Sequence, residues 1–261
     1  MTFFKKSLGQ NFLIDKNIIN KIIDIIPVKN KNIIEIGPGK GALTNEILNR
    51  QPRSIILIEK DFNLAKKLKQ KYEKKSNIEI HNIDILKFNL EKKIKKKYVV
   101  FGNLPYNISS QILVKFLKFN KWPPNITDYI FMFQKELGKK IIGKFPSNDY
   151  GRLSILTNFR LKIKKFFYIS PNCFFPKPKV TSMIIHFKPK MFRAVNIKRV
   201  ANLENITNIM FSNKRKMINK NIKKILNKAA IEKISELKLN QRPSEIKPEI
   251  YYKITELFER I

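Results

Sequence analysis

Asn103-Leu104-Pro105-Tyr106 is the stretch of this sequence whose chemistry is easiest to name. It follows the apolar run Tyr98-Val99-Val100-Phe101 and so begins where a buried strand should end. In open α/β sheets, ligands bind at the carboxyl ends of strands. An exocyclic amine such as N6 of adenine has hydrogens that need acceptors and a lone pair delocalised into its ring. The Asn103 side-chain oxygen and the Leu104 carbonyl supply acceptors, Pro105 stiffens the backbone, and Tyr106 offers a face for stacking. Alone, the same four residues also describe a strand, a turn and a packed tyrosine, so context has to decide.

That context begins upstream. Glu35-Ile36-Gly37-Pro38-Gly39-Lys40-Gly41 joins a strand pattern at Asn32–Ile36 to a helix pattern from Ala42 to about Arg50. Glycines let the backbone approach a ligand where a Cβ would collide. The spacing is not G-x-G-x-x-G, so no pyrophosphate cradle is implied. The helix N-terminus beyond the loop favours an anionic group, such as the carboxylate of a bound amino acid. Glu59 ends a second strand, Ser54–Glu59, at the position where an acid commonly holds a ribose hydroxyl pair. Asp84, just past a third strand, is placed to accept from an adenine amine. Each taken singly reads as a tight turn or a helix cap. Three at successive strand ends of one sheet point to a shared ligand.

Strands are expected at Asn32–Ile36, Ser54–Glu59, Asn77–His81, Tyr98–Gly102 and Tyr129–Phe133. Helices are expected from Asp61 to about Tyr72, from Ser109 to Phe119, and after Tyr150-Gly151-Arg152. This alternation predicts an α/β fold with a mostly parallel sheet covered on both faces. Two further β-rich segments, near 162–169 and 180–187, flank Pro171-Asn172-Cys173-Phe174-Phe175-Pro176-Lys177-Pro178 and predict an antiparallel edge strand. From about Asn196 the pattern changes to short amphipathic helices. The expected domains are 1–190, which carries the sheet, and 191–261, small and helical.

The formal net charge of +34 and the pI near 10.2 make a polyanion, and nucleic acid first, the expected partner. An AT-rich genome would also enrich Lys, Ile and Asn, so the sign of the charge is more informative than its size. One cysteine, Cys173, excludes an internal disulfide and reads as a small buried residue. Two histidines exclude a Cys/His zinc cluster, and no metal is expected. No apolar run approaches the ~20 residues of a membrane span, and the N-terminus lacks a secretory pattern. A cytoplasmic monomer is expected.

The constellation resembles the class I S-adenosylmethionine (SAM)-dependent methyltransferases, with their Rossmann-like sheet. More narrowly, Ser7-Leu8-Gly9-Gln10-Asn11-Phe12-Leu13, Glu35–Gly39, Gly102–Ser109, Phe133-Gln134-Lys135-Glu136, Tyr150-Gly151-Arg152-Leu153-Ser154 and Phe174–Val180 are similar to the ribosomal RNA adenine N6,N6-dimethyltransferases. Phe211-Ser212-Asn213-Lys214-Arg215-Lys216 and Gln241-Arg242-Pro243 resemble that family's C-terminal signatures, and the match runs in the family's order from about Ser7 to Arg242. The helical tail resembles the KsgA-type branch, which modifies two adjacent adenines in the 3′-terminal hairpin loop of small-subunit (16S) rRNA. Lys214 departs from an arginine common in the family, and Phe175 and Lys177 interrupt its Pro-rich spelling.

The resemblance implies SAM as methyl donor, held by Asn11, Leu13, Gly37, Gly39, Glu59, Asp84 and Asn103. It implies an amine-methylating tetrapeptide at Asn103, Leu104, Pro105 and Tyr106, with Phe174 as a second aromatic beside the target base. It further implies RNA contacts at Lys214, Arg215, Lys216 and Arg152, and a pre-30S particle as partner. A neutral amine attacking a methyl on a cationic sulfur disperses charge and needs no strong general base, so placement should supply most of the acceleration. The target adenine must be unstacked to reach such a pocket. Three alternatives stay open at this point: the same chemistry on large-subunit rRNA, as in macrolide-resistance methylases; DNA adenine methylation; and a mainly non-enzymatic ribosome-assembly role.

Overall fold

The computed structural model of the protein describes residues 11–191 and 195–261. Ser7-Leu8-Gly9-Gln10, part of the first motif, lie outside the described residues. The chain forms two compact units. The first comprises Met1–Lys115, Pro123–Gly138 and Ile163–Pro189; the second comprises Phe116–Trp122, Lys139–Lys162 and Lys190–Ile261.

In the first unit a short strand β1 (Phe12–Leu13) precedes helix α1 (Lys16–Ile23), whose N-terminus is capped by Asp15 accepting from the Ile18 amide at 3.0 Å. Strands β2 (Asn32–Ile36), β3 (Ser54–Glu59), β4 (Ile78–Asn82), β5 (Tyr98–Asn103) and β6 (Ile126–Gln134) follow, with α2 (Ala42–Asn49), α3 (Phe62–Lys71), α4 (Leu90–Lys93) and α5 (Ser109–Leu117) among them. After α6 (Lys135–Ile142) and α7 (Arg152–Arg160) come β7 (Leu161–Ile169), the two-residue β8 (Phe174–Phe175) and β9 (Ser182–Pro189). The main sheet has the order β4-β3-β2-β5-β6-β9-β7, and β1 pairs with β8 in a separate two-stranded ladder.

Strands β4, β3, β2, β5 and β6 are parallel. Their centre is apolar on both faces, as a strand covered from two sides must be: all five residues of β2 are buried. On one face Ile33, Ile55, Leu57, Val99 and Phe101 pack with Ile22 of α1, Ile47 of α2 and Leu68 of α3. The main sheet starts in the middle at β2, runs outward through β3 and β4, then crosses to β5 on the other side. That reversal opens a crevice at the carboxyl ends of β2 and β5.

The two late strands lie side by side at one edge of the sheet, as expected, but the outermost place belongs to the earlier of them. β9 runs antiparallel to β6, and β7 takes the edge. Burial explains the order: six of the eight β9 residues are buried, whereas β7 exposes Lys162, Lys164, Lys165, Phe166 and Tyr168. Inside, His186 Nε2 of β9 meets Asp128 Oδ1 of β6 at 2.8 Å.

The second unit holds α7, α8 (Val200–Met210), α9 (Asn219–Ile222), α10 (Lys228–Glu232) and α11 (Pro248–Phe258). It includes more than the region after residue 190. The Arg160 guanidinium, buried against Trp122 at 4.5 Å, donates to the carbonyls of Leu117 (2.5 Å) and Phe119 (2.6 Å), which ties 116–122 to α7. Tyr150 donates to Ile246 O at 2.8 Å and Tyr252 to Ile155 O at 3.1 Å, tying α7 and the turn before it to the C-terminal helices. Among the described residues no helix is long and apolar enough to cross a membrane.

Candidate active site

A cavity of about 490 Å³ opens at the carboxyl ends of the central strands, within the size range of small-ligand sites. Asn11, Leu13, Gly37, Gly39, Glu59, Asp84 and Asn103–Tyr106 all line it. The sequence motifs therefore converge on one space within the first unit.

The glycine loop forms one wall. Gly37 and Gly39 have φ of +67° and +58°, a region closed to most side chains. A Cβ on Gly39 would also lie 2.8 Å from the Phe12 ring, so β1 packs directly on the loop. Glu59, at the end of β3, locks the loop from below. One of its carboxylate oxygens accepts from the Gly39 amide at 3.1 Å, the other from the Asp61 amide at 2.9 Å. Asp61 in turn caps α3 by accepting from the Asn63 and Leu64 amides. Burial pushes the Glu59 carboxyl above its usual range, an effect these backbone hydrogen bonds oppose.

Glu35 lies beside it, buried in the middle of β2, and accepts from the Thr44 hydroxyl at 2.6 Å. Burial pushes its carboxyl up to about 7, with the Thr44 hydrogen bond opposing and the charge of Glu59 adding to the rise. The sequence reading gave Glu35 no role. Its signal was present: an acid among the isoleucines of a fully buried strand is the buried charged group that asks for an explanation.

Asp84 follows β4. Its Oδ1 accepts from the Leu86 amide at 2.9 Å and its Oδ2 pairs with Lys60 at 2.9 Å. Burial works against its charge, but the Lys60 and Leu86 hydrogen bonds outweigh it and hold the carboxyl below its usual range. Asn103 ends β5. Its amide nitrogen donates to the Asn11 carbonyl at 3.1 Å, which leaves the side-chain oxygen as the acceptor this residue can offer a ligand. Leu104 is buried. The Tyr106 hydroxyl is hydrogen-bonded to Ser182 of β9 at 2.5 Å, so its ring is fixed at both ends. Burial raises the Tyr106 hydroxyl above its usual range, with the Ser182 bond opposing.

One expectation fails. The resemblance implies a place for Phe174 beside the base, but Phe174 is only 2% exposed, pairs with Leu13 across β1–β8 and packs in the core. Its neighbour Phe175 is 55% exposed and lines the cavity. Successive strand residues point to opposite faces, so the pairing of β8 with β1 decides which ring faces which side. Cys173, expected buried, is half-buried, with its Sγ 3.7 Å from Asp15.

The remaining predicted residues lie in the second unit. Lys214, Arg215 and Lys216 are exposed after a 3₁₀ turn at Phe211–Asn213, and their side chains make no ion pair among the described residues. Arg152 opens α7; its Nε is buried and has no hydrogen-bond partner there. No group of His, Cys, Asp and Glu among the described residues is arranged to hold a metal.

Comparison with known proteins agrees with this geometry. The family model described as ribosomal RNA adenine dimethylase matches residues 1–260. The ribosomal RNA small subunit methyltransferase A of Pelagibacter ubique is 42% identical over 257 residues, covering 98% of this chain and 97% of the relative. That of Malacoplasma penetrans is 38% identical over 258 residues, covering 97% and 91%. Among solved structures, a dimethyladenosine transferase from Plasmodium falciparum is similar with a TM-score of 0.77 and 25% identity, over 95% of this chain and 98% of that one. The 23S rRNA methyltransferase ErmE shares the fold, with a TM-score of 0.69 and 23% identity, over 95% and 99%.

Proposed function

The chain belongs to the ribosomal RNA adenine dimethylase family and is a SAM-dependent methyltransferase with a Rossmann-like class I fold that acts on small-subunit rRNA; within that activity, we propose that it converts two adjacent adenines in the 3′-terminal hairpin loop to N6,N6-dimethyladenine on a pre-30S particle. The observation that carries the amine chemistry is the orientation of Asn103. With its nitrogen held by the Asn11 carbonyl, its oxygen is fixed as an acceptor on the pocket wall, one residue from the Leu104 carbonyl.

The pocket suits SAM. The glycine loop leaves space where a side chain would stand, and Glu59 retains lone pairs on both oxygens after binding Gly39 and Asp61. Those lone pairs would accept from the ribose hydroxyls. Asp84, fixed by Leu86 and Lys60, would accept from the adenine amine of the cofactor, with Gly37, Gly39, Asn11 and Leu13 framing the rest. SAM supplies an electrophilic methyl group on a cationic sulfur.

The protein's own task is placement. Asn103 and Leu104 would take the N6 hydrogens of the target adenine and draw its lone pair out of ring conjugation. Tyr106, pinned by Ser182, would hold the base plane. The attacking amine is neutral and loses its proton after the methyl has moved, so no side chain need act as a strong base. Such positioning can contribute ~7–11 kcal/mol, and stacking on Tyr106 returns ~1–3 kcal/mol of the cost of unstacking the target.

The test is to incubate the protein with labelled SAM and either small or large subunits that lack adenine dimethylation, then digest the RNA and identify and map the labelled nucleoside. N6,N6-dimethyladenosine at two adjacent positions of the small-subunit hairpin is the expected result. Label in large-subunit RNA, or outside that hairpin, would overturn the assignment.

A further inference from the structure

The edge strand β7 carries a surface that the pocket chemistry does not use. Its sequence, Leu-Lys-Ile-Lys-Lys-Phe-Phe-Tyr-Ile, places Lys164, Phe166 and Tyr168 on one face by the two-residue period of a strand. Phe167, on the opposite face, packs against the core under Lys21. Phe166 is 45% and Tyr168 47% exposed, and their ring centroids lie 6.4 Å apart with planes inclined at 67°, so each ring presents its own face. Lys135 Nζ sits 5.4 Å from the centroid of Tyr168. Lys135 and Lys164 form no ion pair among the described residues. From Ile163 to Pro189 there is no Asp or Glu, against lysines at 164, 165, 177, 179 and 188.

Hydrogen-bonded segments link this surface to the pocket. Lys135 follows Gln134, which is paired with Ser182 in the β6–β9 ladder, and its amide donates to Thr181 O at 2.9 Å. Ser182 is the residue that anchors the Tyr106 hydroxyl. Seven residues beyond Tyr168, the same chain lines the cavity with Phe175.

Exposed rings flanked by unneutralised lysines are the composition that binds single-stranded nucleic acid, with bases on the rings and phosphates on the ammonium groups. An edge strand could alternatively pair with a second copy of the chain, but a partner strand gains nothing from a lysine-rich, acid-free face and would be repelled by its own copy of it. We infer that Phe166 and Tyr168, with Lys135 and Lys164, form a stacking track for unpaired nucleotides flanking the target adenine in the substrate RNA. This rests on the reading of the substrate as rRNA.

The experiment compares the full-length protein with a Phe166→Ala/Tyr168→Ala double variant and with a ring-preserving Phe166→Tyr/Tyr168→Phe variant. Binding to undermethylated small subunits, KM and kcat are read, with SAM affinity as the control for folding. The alanine variant should bind subunits about tenfold or more weakly, with a raised KM, little change in kcat and normal SAM binding. The ring-preserving variant should match wild type. As an independent readout, a photoreactive p-benzoylphenylalanine at position 166 should cross-link to rRNA next to the methylated positions. Wild-type subunit affinity in the alanine variant, or cross-links only to protein, would overturn the track. So would wild-type self-association that the alanine variant loses while RNA binding stays intact. Methylation mapping of the wild type separates these failures from a wrong substrate, because a protein that methylates the hairpin but does not need its β7 rings loses only the track.

Discussion

Glu35 and Glu59 lie at the floor of the pocket, whereas Lys214, Arg215 and Lys216 stand exposed in the second unit. The two acids are held by Thr44, Gly39 and Asp61 at 2.6–3.1 Å, and burial raises both carboxyls. The three cations hold nothing among the described residues. In a chain of net charge +34, a cavity with buried acids below and exposed Lys16, Lys40 and Lys60 among its lining residues favours a cationic cofactor inside and a polyanion outside. The difference teaches that position matters in one region and number in the other. Altering a pocket acid moves the groups bonded to it, while altering a surface cation should subtract one roughly equal increment.

The largest expected effect divides inside from outside within two residues. Phe174→Ala should cost about 3–5 kcal/mol of stability, since it empties a space in the core, whereas Phe175→Ala should stay within about 0.5 kcal/mol and lower methylation instead. Urea unfolding and a single-turnover assay on both variants check this. Equal stability losses would mean that both rings are core residues and that the face assignment of β8 is wrong.

Glu35 sharpens the contrast through pH. Its carboxyl titrates near 7 in the fold and near 4.5 in the unfolded chain. The folded state therefore binds the proton more tightly. The resulting stabilisation is complete below pH 4.5 and is lost as pH rises towards 7, on the order of 3 kcal/mol in total. Glu35→Gln cannot ionise, so the stability difference between variant and wild type should move in the variant's favour across that window. A difference that stays flat from pH 4.5 to 7.5 in urea titrations would show that Glu35 ionises without penalty.

Glu59→Ala removes an acceptor expected to face the ribose and frees the Gly39 amide at the same time. SAM affinity measured by calorimetry should fall by about 1.5–3 kcal/mol. A folded variant with unchanged affinity would take Glu59 out of the site and leave it a brace for the loop.

Much of this site could be read from sequence because its residues sit at the ends of strands buried on both faces. The apolar runs at Asn32–Ile36 and Ser54–Glu59 have the same bounds in the structure, and the glycine loop after β2, Glu59 of β3 and Asn103 of β5 fall at the carboxyl ends that form the crevice. What could not be read depends on pairing over long sequence distances. β1 and β8 have two residues each, too short for any periodicity, yet their pairing turns Phe174 inward and Phe175 outward. The hydrogen bonds of Arg160 to Leu117 and Phe119, which draw 116–122 into the second unit, join segments more than forty residues apart. The place of β7 was closer to legible. Three lysines in a nine-residue strand are the mark of an edge, and the acid-free composition around it was visible from the start.

The smallest effect per residue is expected at the surface cluster. In so lysine-rich a chain, ordinary solvated charge is the competing account of Lys214, Arg215 and Lys216. Their exposure makes the test clean: no hydrogen bond or ion pair of their side chains supports the fold among the described residues, so alanine at all three should leave stability and SAM binding near wild type. If they meet phosphates, each lost contact reduces the slope of log affinity against log salt by roughly 0.7–0.9. The triple variant should bind small subunits more weakly at low salt and converge on wild type as salt rises. Binding titrations at several salt concentrations measure that slope directly. A slope and affinity equal to wild type would assign the cluster to solvent and move the phosphate contacts to other basic surfaces, among which β7 carries aromatic rings as well as charge.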